Sequence, residues 1–362
     1  MLKVTVLFLM IFLFAKTQAQ NYQISFSGTG ASTTVDSVKV ENLTQCTKLI
    51  LSGSKILHLT ATVGINEMSA GSTTGKMNNL KSSKSLIEMQ YTTGNRLKLT
   101  GFSEGIYRTI CMLVPASTQT VTFNFIACTD TDNNHYSVVR IGKQVWMAEN
   151  LKTTHYANGT AIPYVTGSKN WSALNDSCKA YCWYNNADSN KAIYGALYNW
   201  AAAMNGITKS SANPGKVQGV CPAGWHLPCD DEWWALTFCL GGENVAGSKL
   251  KENCSKLWKG PNLGATIERG LTAEGEIVVK TNYNTGSATN ESGFTALPGG
   301  YREYNGMFGS IGYSGTWWSS TQYDTKTVWT QIMNTDYSYV ISGDSAQTVP
   351  VIPRQAVPHF PR

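Results

Sequence analysis

Nine cysteines, at positions 46, 111, 128, 178, 182, 221, 229, 239 and 254, are the residues of this chain whose chemistry is easiest to name. In an oxidising compartment they read first as disulfide partners. The closest pair, Cys178-x3-Cys182, misses the two-residue spacing of a zinc site, and the five histidines, 58, 135, 155, 226 and 359, stand far apart, so no metal is expected. Asp130-x-Asp132-x-Asn134 opens like a calcium loop. Such a loop needs Gly at its sixth position and Glu at its twelfth, where this chain has His135 and Ile141, so the stretch reads instead as an Asx-rich turn before a strand over Tyr136 to Ile141. No Gly-x-Ser-x-Gly elbow is present. Neither an enzyme nor a cofactor is expected.

The elements that would position these residues divide the chain in two. All eleven tryptophans lie between Trp146 and Trp329, and that step in composition marks a domain boundary upstream of them. Residues 20–127 carry alternating runs (Tyr22 to Ser27, Thr34 to Val40, Ile56 to Val63, Leu97 to Thr100, Ile106 to Val114, Thr120 to Phe125) that predict a small all-β, sandwich-like domain, with Ile65 to Lys84 as a loop. In residues 128–344, Leu197, Trp200, Ala201 and Met204 recur at helical spacing and predict a helix over 193–205. A second helix begins at Asp230, with Trp233, Leu236, Thr237 and Leu240 on one face and Gly241-Gly242 beyond. Gly275 to Lys280 predicts an added hairpin, and strands are expected around Phe294 to Leu297, Gly315 to Thr321 and Thr327 to Met333. Residues 345–362, with Pro350, Pro353, Pro358 and Pro361, read as a disordered tail.

At 362 residues the chain has room for two cores, and a charged fraction of only 14% suits a loop-rich, β-containing exported protein. Residues 1–19 hold Lys3, an apolar run from Val4 to Ala15, and Thr17-Gln18-Ala19 as a cleavage site, the pattern of a signal peptide. No Cys follows that run directly, which argues against a lipid anchor, and no other run is long and apolar enough to span a membrane. The expected destination is the periplasm, the cell surface or the medium. Losing Lys3 and Lys16 lowers the net charge from +6 to +4, and the remaining basic residues form no run of four. No nucleic-acid partner is expected.

Five ordered stretches carry a resemblance. Cys221-Pro222-x-Gly224-Trp225-His226-x-Pro228-x-Asp230-x-Glu232-Trp233 is similar to the core signature of the Fibrobacter succinogenes major paralogous domain, a family of exported bacterial proteins. Ile141 to Thr153, Tyr194 to Trp200, Asn290 to Arg302 and Gly315 to Thr321 match in the same order. The resemblance implies an α+β fold: a C-type lectin-like domain with two helices and a small, mainly antiparallel sheet, related to the formylglycine-generating domain. The thiols that oxidase chemistry needs late in its domain are missing, since Cys254 is the last cysteine.

What remains is an exported binding or surface-interaction module for a glycan or protein partner, with Trp258, Tyr301, Tyr304, Tyr313 and Trp317 as its candidate contact residues. The alternative is a display protein without a ligand. Membership of the matching motifs makes Cys182 and Cys221 the expected disulfide, and a shared N-terminal domain makes Cys46 and Cys111 the second. At the helix start the family usually has Ser or Thr where this chain has Cys229, a poor cap, which transfers the capping role to Asp230. The family's closing strand, resembling Gly-Phe-Ser-Val-Arg-Cys, is replaced by the Pro-rich tail. Its loss accounts for the odd cysteine count and singles out Cys128 as the unpaired thiol.

Overall fold

The computed structural model describes residues 21–61, 87–207, 212–213, 215–264, 266–271, 277–282, 287–346 and 356–357. The expected leader, the expected loop over 65–84 and most of the expected disordered tail lie outside them. In the first third, eight strands follow one another: β1 (Tyr22–Gly30), β2 (Ser37–Asn42), β3 (Thr47–Ser52), β4 (Leu57–Ala61), β5 (Ile87–Tyr91), β6 (Leu97–Ser103), β7 (Tyr107–Leu113) and β8 (Gln119–Phe125). Alternation decides their faces: in β2, Val38 and Val40 are fully buried while Lys39 and Glu41 point the other way. One sheet, in the order β5-β4-β1-β8, shares a core with β2, β3 and β6 of a second sheet, through Ile24, Val40, Leu59, Leu99 and Phe123.

The second sheet does not stop at the composition boundary. After β9 (Val138–Ile141) and β10 (Gln144–Met147), the strand order is β10-β9-β7-β6-β2-β3, with β9 parallel to β7 at Thr109↔Val138 and Ile110↔Val139. Ile110 belongs to the same buried cluster as Trp146, Trp233 and Phe294. Backbone and core therefore both cross from one half of the chain to the other.

Short elements follow: α1 (Ser168–Ser172), β11 (Tyr181–Cys182), α2 (Asp188–Tyr194), β12 (Leu197–Tyr198), α3 (Trp200–Met204), α4 (Asp230–Cys239) and α5 (Glu243–Leu250). The helix expected over 193–205 is broken. Gly195 has φ +74°, a Cβ there would stand 2.5 Å from the Leu151 carbonyl, and β12 intervenes before Asn199 caps α3 through the Ala202 amide. A hairpin, β13 (Thr266–Leu271) with β14 (Ile277–Asn282), fills the expected insertion, and Leu263↔Ser287 bridges its base.

The last sheet, β16-β15-β17-β18-β19, comprises β15 (Gly299–Arg302), β16 (Phe308–Ile311), β17 (Ser314–Gln322), β18 (Thr327–Asn334) and β19 (Ile341–Ala346). Residues 294–297 contribute only a single bridge, Lys251↔Ala296. A final pair, β20 (Ala356–Val357), returns antiparallel beside β10 at Trp146 and Val145. It does not reach β9, the expected opening strand, whose neighbours are β10 and β7, so no closing strand lies directly beside that strand.

These observations overturn the α+β, C-type lectin-like expectation. Among the described residues 38% lie in strands against 14% in helices, and the longest helix has ten residues. The chain is mostly β. Two further cores flank β17 and β10 on opposite faces: Trp317 enters one and Trp318 the other, as Trp146 and Val145 do on β10. In β17 the adjacent tryptophans can enter different cores because successive side chains of a strand point to opposite faces, whereas in α4 Trp233 is buried and Trp234 is exposed.

Candidate functional site

Burial sorts the expected contact residues first. Trp258 is 5% exposed and donates Nε1–H to the Ala296 carbonyl, while Trp317 is fully buried with Nε1 3.4 Å from Asn150 Oδ1. Both belong to the core. Tyr301 packs half-buried against the other core, the one that Trp318 enters. Tyr304 and Tyr313 are exposed, but β16 runs between the two turns that hold them, so they sit at opposite ends of a strand. Tyr313 has other neighbours: its carbonyl accepts from Thr335, at the start of the loop where Tyr337 and Tyr339 stack at 4.7 Å.

The expected disulfides are also corrected. Cys46 is bonded to Cys254, across 208 residues, and Cys111, Cys182 and Cys221 are thiols. Cys182 lies in one core and Cys221 in the other, so the sheet between those cores keeps them apart. Cys128 is unpaired and buried. Burial raises Cys182 to about 11 and Cys229 to about 12, so both are protonated and poor nucleophiles at neutral pH. The acidic turn is internally engaged. Asp130 accepts from the Asn134 amide and from Tyr136 Oη, and Asp132 accepts from Thr154 and His155.

The residues that line open space together are elsewhere, on the outer face of β2, β6 and β7. Register brings Lys39 opposite Thr100, Glu41 opposite Lys98 and Phe102 opposite Arg108, all on the side away from the N-terminal core. The second half of the chain supplies the walls. Ser137, Glu149 and Thr295 border the hollow, and Lys98 Nζ reaches Thr295 Oγ1 at 3.5 Å. The hollow encloses ≈ 620 Å³ including its open mouth. A second hollow of ≈ 520 Å³ adjoins it, shares Glu41 and Lys98, and is lined by the Cys46–Cys254 bridge.

Charge in this groove is unevenly matched. Glu41 meets Lys39 at 2.8 Å and Lys98 at 3.1 Å; burial pushes its carboxyl up, and the two ammonium groups outweigh that and hold it below its ordinary value. Arg108 donates from Nη1 to the His135 carbonyl at 2.9 Å, and among the described residues its Nε is buried without an acceptor and no carboxylate comes within ion-pair distance. The groove therefore carries three cations against Glu41 and Glu149. The sequence contains a partial signal for this, since Lys39 and Glu41 alternate in β2 while β6 and β7 hold one charge each, Lys98 and Arg108. Nothing in it gives the register that assembles them.

Residues 139–349 match the family model of the Fibrobacter succinogenes major domain. No match is found among curated proteins or among solved structures. The residues that carry the resemblance are largely structural: Tyr198, Cys221, Trp233, Phe294, Arg302, Trp317 and Trp318 are all fully buried.

Proposed function

Because this chain belongs to the Fibrobacter succinogenes major domain family, whose shared residues build the core, we propose that its function resides in the groove where that core meets the N-terminal strands. The protein is an exported, non-enzymatic binding module, and the groove is the seat for a polar ligand, a glycan or a segment of protein. One observation carries this reading: two adjoining hollows meet at the Glu41–Lys98 pair, where both halves of the chain contribute walls. Ligand seats favour such seams. The protonated buried thiols support binding over thiol catalysis.

The test uses the mature chain and a Lys39→Trp variant that fills the groove from its exposed rim. Both are screened on a glycan array and a peptide library. Binding that is lost in the variant supports the groove. Binding that survives the substitution places the ligand elsewhere, with the Tyr313, Tyr337 and Tyr339 surface the next place to examine, and defeats the reading. An empty screen favours a display protein. N-terminal sequencing of protein recovered outside the cytoplasm tests export, with a start at Gln20 as the expected result.

A further inference from the structure

The groove's composition points beyond binding in general. Resting on the groove as the seat, we propose that it selects saccharides bearing a carboxylate, that is, glycans with uronic acid residues, and that Arg108 with Lys98 supplies the attraction for the acid group. The argument begins with compensation. Lys39 and Lys98 share the single carboxylate of Glu41, while Arg108 lies on the same sheet face without one among the described residues. Glu149, the other acid of the wall, accepts the Ser137 amide at 2.9 Å and is not within ion-pair distance of Arg108. A half-buried guanidinium held by one carbonyl keeps most of its donors for a planar oxyanion.

The remaining wall chemistry favours a sugar over a peptide. Thr100 and Ser137 add hydroxyls, which donate and accept as sugar hydroxyls do, and Glu41 and Glu149 add acceptors, while the Thr295 hydroxyl is already held by Gly293, Asn290 and Lys98. Phe102 is the partly exposed apolar side chain of the lining, backed by buried Ile110 and Ala148, and it offers one aromatic face to a pyranose ring. A peptide strand would call for an open sheet edge. Here β2, β6 and β7 each have neighbours on both sides.

Oligogalacturonate and its fully methyl-esterified form are titrated calorimetrically into the wild-type chain, Arg108→Gln and Lys39→Trp. The expected result is acid binding at least tenfold tighter than ester binding, a preference that shrinks with added salt and disappears in Arg108→Gln while the weak ester binding remains. Gln keeps an amide for the His135 carbonyl, and retained ester binding shows that the variant is folded. Equal affinity for acid and ester, both lost in Lys39→Trp, overturns acid selection and leaves the groove standing. Acid binding unchanged in Arg108→Gln and in Lys39→Trp overturns both. Failure of either ligand to bind overturns the proposal.

Discussion

Two fully buried basic side chains, Lys251 and Arg302, are held by carbonyl oxygens, with no carboxylate among the described residues at ion-pair distance. Lys251 Nζ donates to Leu263, Asn334 and Tyr337 at 2.7–2.9 Å and lies 5.4 Å from the centre of the Trp258 ring. Burial lowers its ammonium to about 7, against the pull of Asp336. The unfolded chain then holds that proton more tightly than the native one, so stability is expected to rise from pH 7 toward the ordinary lysine value of 10.5. A Lys251→Met variant should lose that rise in chemical-denaturation series taken across this window. Arg302 sits between the rings of Trp171 and Phe308, at 4.4 and 4.6 Å, and donates to Gly306, Val165 and Thr166. Truncation to Ala strands three carbonyls, and a loss of about 3 kcal/mol is expected by thermal or urea melting. Neither burial was legible in the sequence, where Lys and Arg read as surface residues because desolvating a lone charge is costly. Among the thiols, exposed Cys239 should alkylate first in the native protein, ahead of buried Cys128, Cys182, Cys221 and Cys229, by timed mass mapping.

At the scale of the element, α4 was readable and its cap was not. The spacing of Trp233, Leu236 and Thr237 gave the buried face, and Glu232 returns to the Cys229 amide at 3.0 Å as a capping box requires. Cys229 remains the cap; Asp230 is the first helical residue, engaged with Gln331 at 3.2 Å. Sulfur is a weak acceptor, so Cys229→Ser is expected to raise stability by about 0.5–1 kcal/mol, read as a higher melting temperature. The broken helix over 193–205 has a different cause. Periodicity reports which side chains are apolar, whereas the break is imposed by the Leu151 backbone pressing on Gly195, a contact from 44 residues away. The groove escaped for the same reason: alternation in β2, β6 and β7 was visible, but their register is fixed by tertiary packing.

For the molecule as a whole, the step in tryptophan content pointed to two independent cores, and the structure describes a sheet and a hydrophobic cluster running through the proposed boundary. A fragment beginning at residue 128 would expose the β9 edge, lose Ile110 from its core and leave Cys254 without its partner. It is expected to melt broadly and to associate, where the full chain melts in one sharp step. Retention of a sharp, native-like transition in the fragment would show that the shared sheet is dispensable.

The Cys46–Cys254 bond also turns the polypeptide into a ring with two free ends. A protease that cuts once anywhere between residues 47 and 253 opens the ring without releasing a piece. Such a nicked molecule would keep its full mass on a non-reducing gel and separate into two bands only after reduction. Mobility on a non-reducing gel alone would therefore hide a severed backbone.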